Sequence, residues 1–218
     1  MNLREFRKTY NLDLLPVSNE GIILGTLVKD TIWSKPDLNP SGIPNSIYGA
    51  LLDLNIINEE KFNQILQGIK NTKKEQAAFS QISIESDIDS EINLGIPKIG
   101  EIATKFKNHK EISFSFQNSK RIAYSDLQRY ELKKYLDEIK KIDWDVYDKK
   151  LRRSWLITEL YYAEVSIKIA KSLEVELKAE IDVLDLSPLK FESTNSIEYV
   201  FQNTLPFAME LEEIKGFN

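Results

Sequence analysis

The stretch that decides the fold is WLITELYYAEVSIKIAKSLEVELKAEI, residues 155–181. Its first six residues, 155–160, predict the start of a buried strand. Apolar and polar residues then alternate, which is the period of a strand with one apolar and one charged face. We therefore predict that residues 163–181 are β-structure, and that one face carries Val165, Ile167, Ile169, Leu173, Val175, Leu177, Ala179 and Ile181.

The same period of two occurs upstream and predicts further strands. Residues 78–96 and 110–117 read as separate strands, because Gly95, Pro97 and Gly100 interrupt the pattern. Residues 22–28 predict a short buried strand, and residues 190–202 and 204–214 predict two closing strands around Gln202-Asn203. The upstream apolar positions are Ile82, Ile84, Ile88, Ile92, Leu94, Ile96, Ile112, Phe114 and Phe116.

Four segments predict helices, which lie at 3–10, 47–54, 58–70 and 126–140. Asn58 and Ser125 are suited to cap the last two. For residues 126–140 we expect the inward side chains to be Leu127, Tyr130, Tyr135, Leu136 and Ile139. Helices combined with alternating strands predict an α+β fold: a twisted, mainly antiparallel sheet with packed helices, forming a single domain over residues 1–218.

The composition narrows the function. The 218 residues contain no cysteine and one histidine, and the formal net charge is -5. A charged N-terminus and the lack of a long apolar run predict a cytoplasmic protein made without a signal peptide. Disulfides and cysteine nucleophiles are excluded, and no general basic field indicates nucleic acid.

Neither catalytic nor metal-binding residues form a recognisable pattern. His109 lies among lysines in a polar segment, which favours a surface loop, and no nucleophile is paired with it. Asp87, Asp89 and Glu91 would share one strand face and could bind a hard cation, but the solvated side of an alternating strand is the preferred interpretation. We therefore expect no enzyme activity, no cofactor and no metal, although scattered carboxylates leave hydrolysis open.

Several segments, in their order along the chain, resemble the pore-forming domain of the gasdermin family, particularly its short microbial members. Residues 155–162 are similar to the strand that opens that family's long amphipathic hairpin, and residues 201–211 are similar to its closing strand. Residues 94–100 and 112–116 resemble the first hairpin region, and residues 14–17 resemble the opening strand.

This resemblance implies a chain that unfurls two hairpins and assembles with copies of itself into a large membrane β-barrel during cell death or defence. The inserting strands would then carry Ile82, Ile84, Ile92, Leu94, Ile112, Phe114, Phe116, Val165, Ile167, Ile169, Leu173, Val175 and Leu177. Helices 58–70 and 126–140 would cover these faces in water, and Arg4, Arg7 and Lys8 would bind acidic lipids. The protein would relocate from the cytoplasm to the membrane when active.

The family's microbial members carry a C-terminal inhibitory segment that a protease releases, whereas only residues 212–218 follow the closing strand here. The expected partners are therefore membrane lipids, further copies of the chain, and an activating protease or a second protein. The alternative function is a non-enzymatic binding module, a partner or immunity protein that uses a sheet edge.

Overall fold

The computed structural model describes residues 3–15, 22–28, 46–77, 81–85, 112–183 and 187–217. The helices are α1 (Leu3–Tyr10), α2 (Ile47–Asp53), α3 (Glu59–Lys70), α4 (Asp126–Ile142), α5 (Trp144–Val146) and α6 (Glu174–Val183). A π-helical turn spans Tyr147–Leu151, and 3₁₀ turns span Lys171–Leu173 and Ile214–Gly216.

The strands are β1 (Asp13–Leu14), β2 (Leu27–Val28), β3 (Glu75–Gln76), β4 (Gln81–Glu85), β5 (Ile112–Ala123), β6 (Trp155–Ala170), β7 (Leu189–Glu192) and β8 (Ser196–Glu213). Within the described ranges they form one open sheet of order β1-β8-β6-β5-β3, in which β2 pairs with β6, β4 with β5 and β7 with β8. Helices with an antiparallel sheet confirm the predicted α+β class.

The pairing of β6 with β8 is antiparallel. The Ile214 N–H donates to the Ser154 carbonyl at 3.1 Å, where the chain enters β6 and leaves β8. The Lys171 N–H donates to the Asn195 carbonyl at 3.3 Å, where the chain leaves β6 and enters β8. At each of these ends the two strands therefore run in opposite directions.

Side-chain caps fix the starts of the helices. The Asn58 side chain accepts from the Lys61 N–H at 2.8 Å, which starts α3 at the predicted residue. Ser125 and Gln128 form a reciprocal capping box at the start of α4. Each cap satisfies an N–H group that the first helical turn leaves without a partner.

The chain divides into two compact units, and β5, β6 and β8 contribute residues to both. The first unit comprises Met1–Asn19, Glu75–Arg121 and Tyr161–Ala208, and the second comprises Glu20–Lys74, Ile122–Leu160 and Met209–Asn218. In the first unit one hydrophobic cluster joins strand residues to side chains from α1 and α6. Buried apolar side chains of the second unit include Leu24, Ile47, Leu51, Leu132, Leu136, Ile139, Leu156 and Ile157.

Two strand predictions are wrong in detail. The strand predicted at 22–28 is confined to Leu27–Val28, because Gly25 adopts a φ of 86° that belongs to a turn. No turn occurs at Gln202-Asn203, since β8 continues through both residues. The chain reverses before β8, where the Ser193 N–H donates to the Ser196 carbonyl at 2.9 Å.

The inward face predicted for α4 is also partly wrong. Leu127 and Tyr130 are 67% and 56% exposed, whereas Leu132, Leu136 and Ile139 are buried. At 100° per residue, Leu127 and Tyr130 lie on the side of the helix opposite Leu132. Apolar residues occur around most of α4, so tertiary packing decides which of them are covered.

Candidate functional site

The candidate functional site is built on the apolar face of β5 and β6 in the first unit. The alternating apolar side chains at 112–116 of β5 and at 161–169 of β6 are buried, and the Phe116 ring stacks on Phe207 with a centroid distance of 4.5 Å. The alternation in β5 ends at Asn118, which is exposed and has a φ of 52°. The opposite face of these strands is polar, and there the Asn118 side-chain amide donates to the Glu164 carboxylate at 2.8 Å. The buried members of the predicted set are Ile112, Phe114, Phe116, Val165, Ile167 and Ile169.

Strand β4 supplies two further predicted positions. In the antiparallel register with β5, Ile82 lies opposite Phe116 and Ile84 lies opposite Phe114. The register therefore places these apolar positions of the two strands on the same face of the sheet. Ile92 and Leu94 lie outside the described residues.

The segment after β6 is helical, so the prediction that strand structure continues through residue 181 is wrong for this conformation. Leu173, Leu177 and Ile181 are spaced by four and are buried in the same cluster as the strands. Val175, by contrast, is 80% exposed. A spacing of four fits both periods, because it is two strand repeats and also about one helical turn. The sequence LEVELKAEI thus satisfies the pattern of a strand and that of a helix that buries only part of its apolar residues.

The helices that contribute to this core also differ from those predicted. Phe6 of α1, Leu173 of the 3₁₀ turn, and Leu177 and Ile181 of α6 belong to the cluster with β5 and β6. Helices α3 and α4, which the sequence nominated as covers, belong to the second unit. Helix α6 is therefore both a cover of the strand faces and a segment with strand periodicity.

Strand β7 adds apolar residues that sequence reasoning did not nominate for this site. Leu189 and Phe191 are 45% and 54% exposed, and they lie opposite Val200 and Glu198 of β8. Their neighbours Lys190 and Glu192 lie opposite Tyr199 and Ile197, which are buried. The alternation Leu-Lys-Phe-Glu was the available signal, since it gives an apolar and a charged face.

A cluster of four charged side chains joins the start of α6 to β7. Lys171 Nζ lies 2.7 Å from Glu192 Oε1. Lys190 Nζ lies 2.6 Å from Glu174 Oε1 and 3.4 Å from Glu192 Oε2. We call Lys171, Glu174, Lys190 and Glu192 the charge quartet.

The predicted lipid-binding residues on α1 lie in different environments. Arg7 Nε lies 3.7 Å from Asp13 Oδ1, and Asp13 is buried. Burial raises the pKa of Asp13, and the Arg7 guanidinium opposes that rise. Lys8 is exposed, and the side chain of Arg4 lies outside what the structure describes. Lys8 is thus the described member of this set that faces solvent without a recorded ion pair.

In the second unit, two buried tyrosines share a hydrogen bond. The Tyr48 hydroxyl donates to the Tyr124 hydroxyl at 2.8 Å, and burial raises the pKa of Tyr48 to about 12. Beside Tyr48 is a groove of about 200 Å³ lined by Lys61, Ile65, Ile69, Glu131 and Leu132. Its volume is below the ~300–1,000 Å³ of typical ligand pockets.

Within the described ranges, no three His, Cys, Asp or Glu side chains meet in a way that could hold a metal ion. Over the same residues, no helix has the length and apolar character needed to cross a membrane.

Comparisons with known proteins give a likeness in fold and none in sequence. The sequence matches no protein-family model and no curated protein. The fold is similar to the structure of a bacterial gasdermin from Bradyrhizobium tropiciagri, with a TM-score of 0.47 and 12% identity, over 96% of this chain and 84% of that chain. A likeness at this score and identity does not establish membership of a family.

Proposed function

We propose that this chain is a gasdermin-like pore-forming protein that acts on membranes without catalysis, and that residues 171–192 refold into a hairpin that extends β6 and β8. In this proposal the chain is cytoplasmic until it is activated, relocates to the membrane, and oligomerises there during cell death or defence. The proposal rests on one observation. When the existing pairing of β6 with β8 is continued into residues 171–192, the exposed apolar residues of α6 and β7 fall on one face.

The contact between Lys171 and Asn195 sets the register of the extension. Continuing the antiparallel pairing from this contact brings Val175 opposite Phe191 and Leu177 opposite Leu189, with the reversal near residue 183. Because residues directly opposite each other point to the same side, these four side chains form one apolar face.

Glu174, Glu176, Lys178 and Glu180 fall on the other face of the extended hairpin. Glu176 comes opposite Lys190, which is a favourable cross-strand pair. Residues 171–181 provide the ~9–11 residues that a transmembrane strand requires. The hairpin would present apolar side chains to lipid and charged side chains to the lumen.

The soluble fold leaves apolar side chains exposed that a membrane would bury. Val175, Leu189 and Phe191 are all substantially exposed. Fully burying an exposed side chain of this size stabilises by roughly 1.5–3 kcal/mol, so burying the exposed fractions of these three supplies roughly 3–5 kcal/mol toward insertion. Strands β4 and β5, whose apolar positions lie opposite each other, are the proposed second hairpin.

The test uses a matched pair of variants that both change the net charge by one unit. Val175→Asp places a carboxylate at an exposed helical position, so the soluble fold is expected to remain stable, but the carboxylate would face lipid in the hairpin. Lys178→Gln alters the polar face. We expect the wild-type chain and Lys178→Gln to release dye from phosphatidylcholine vesicles that contain phosphatidylserine, and Val175→Asp to lose release.

Release is measured with and without candidate proteases, because the activating event is itself part of the proposal. Equal leakage by the two variants would refute insertion of this face. A wild-type chain and truncations that remain inert under every condition would refute pore formation.

The second candidate function is a binding module that uses the β7 edge. Within the described residues β7 pairs only with β8, and it exposes Leu189 and Phe191. An extended segment of a partner would pair with this edge. A stable complex with another protein, lost in Phe191→Ser and accompanied by no leakage, would favour this function.

A further inference from the structure

The charge quartet connects the segment that would refold in the proposed function, residues 171–183, with strand β7, which pairs with β8. Lys171 and Glu174 belong to the turn and helix that follow β6, and Lys190 and Glu192 belong to β7. The two β7 residues point to one face because they are two apart. The signs alternate through the contacts, from Lys171 to Glu192, then to Lys190, then to Glu174.

The quartet sits at the end of α6 where conversion to a strand must begin. Leu173, which is buried in the core cluster, lies between the two quartet members of this segment. If the pairing of Lys171 with Asn195 is continued, the backbone of Glu174 becomes extended and Glu192 comes directly opposite it. Two carboxylates would then face each other, while Glu176 would replace Glu174 as the partner of Lys190.

The contacts of the quartet are therefore specific to the helical state. We propose that the charge quartet is a latch that keeps residues 171–183 helical, and that its opening is the regulated step before the hairpin forms. This inference rests on the proposed function, of which it describes the control. When the latch opens and the hairpin forms, Lys190 exchanges its ion-pair partner from Glu174 to Glu176.

The electrostatic environment agrees with persistent pairing in the soluble state. The hydrogen bond from Lys190 to Glu174 raises the pKa of Lys190, and the hydrogen bond from Lys171 lowers the pKa of Glu192. All four side chains are between 33% and 51% exposed. Ions in solution therefore screen the latch, so high salt, or a strongly charged surface that competes for these groups, is expected to open it.

Two neighbouring glutamates provide a matched pair for the test. Glu174→Gln removes a carboxylate from the latch, and Glu176→Gln removes a carboxylate that has no recorded ion pair in the described structure but would face Lys190 in the hairpin. Hydrogen exchange of the amides of residues 174–183, followed by mass spectrometry in solution, reports opening of α6 without any membrane. We expect Glu174→Gln to exchange roughly two- to fivefold faster than wild type, and Glu176→Gln to exchange at the wild-type rate.

A charge swap guards against a nonspecific effect of the substitution. Glu174→Lys alone is expected to accelerate exchange further, and the double variant Glu174→Lys with Lys190→Glu is expected to restore it partly, since the reversed pair can form. High salt should accelerate exchange in the wild type and have a smaller effect in Glu174→Gln.

Leakage from the vesicles used above separates this inference from the proposed function. Faster release by Glu174→Gln and slower release by Glu176→Gln would support both. Faster exchange in Glu174→Gln with no release by any variant would support the latch and overturn pore formation. Release together with equal exchange in the two variants would overturn the latch and leave pore formation standing.

Discussion

Among the described glycines of the second unit, Gly25 is the one where an added methyl group should destabilise the fold most. Its φ is 86°, a conformation that side chains with a Cβ rarely adopt. A Cβ built there would lie 2.6 Å from the Tyr124 hydroxyl, 2.6 Å from Tyr48 Cε2 and 3.2 Å from Ile47 Cγ2. Both tyrosines are buried and joined by their hydroxyls, so neither can move aside without breaking that bond.

The backbone at Gly25 is also held from both sides. Its N–H donates to the Ile157 carbonyl at 2.9 Å, and its carbonyl accepts from the Ile47 N–H at 2.9 Å. The left-handed conformation costs about 1–2 kcal/mol for a residue with a Cβ. Overpacking adds about 1–3 kcal/mol. Gly25→Ala should therefore lower the free energy of unfolding by roughly 2–5 kcal/mol.

Gly68→Ala is the matched control, because a Cβ at Gly68 meets no atom within 4 Å and the residue lies inside α3. There the same substitution should stabilise by about 0.5–1 kcal/mol, since alanine is the better helix former. Urea unfolding followed by circular dichroism measures both variants. Equal stability of Gly25→Ala and wild type would refute the close packing around the tyrosine pair.

Three further predictions concern buried polar groups. The folded pKa of Tyr48 is about 12, above its ordinary 10.0. The stability that its protonated hydroxyl contributes is therefore complete below pH 10 and should be lost between about pH 10 and 12. Urea unfolding across that range should show a smaller loss of stability for Tyr48→Phe than for the wild type. The Ser166 hydroxyl is buried with no recorded hydrogen-bond partner, so Ser166→Ala should be neutral or stabilising by about 1 kcal/mol in thermal unfolding, and a clear destabilisation would contradict this. Burial raises the pKa of Asp13, so the stability that its protonated form contributes is present below about pH 3.8 and decreases as the pH rises through the folded pKa. Asp13→Asn should reduce this pH dependence of the free energy of unfolding, measured from pH 3 to 7. An unchanged pH dependence would contradict the prediction.

Local patterns predicted most of the regular structure. Asn58 and Ser125 are caps whose side chains act within their own helical turn, so the sequence contains the whole interaction. The alternation in residues 112–116 and in residues 163–169 likewise indicates which apolar side chains are buried, because one face of each strand packs into the core.

The segment after β6 could not be assigned from the sequence, because its pattern fits two structures. Helix packing decides the outcome by burying Leu173, Leu177 and Ile181 against strands that are distant in sequence or follow later. The turn-forming residues Ser193, Thr194 and Asn195 indicate the reversal before β8. The reversal was predicted instead at Gln202-Asn203, where β8 continues. The charge quartet could not be foreseen, since its members are brought together by the return of the chain through β7.

Because α6 satisfies two patterns, its positions are subject to different demands from selection. Leu173, Leu177 and Ile181 serve the folded core and the proposed hairpin alike, so a polar replacement there would reduce both abundance and activity. Val175 is exposed in the folded chain, so a polar replacement there would leave abundance intact and, under the proposed function, remove membrane activity alone. Under the proposed function, a library of variants scored separately for protein level and for vesicle leakage would place Val175 in a class of its own within this helix. Natural sequences that conserve an apolar residue at this solvent-exposed helical position would record the same demand.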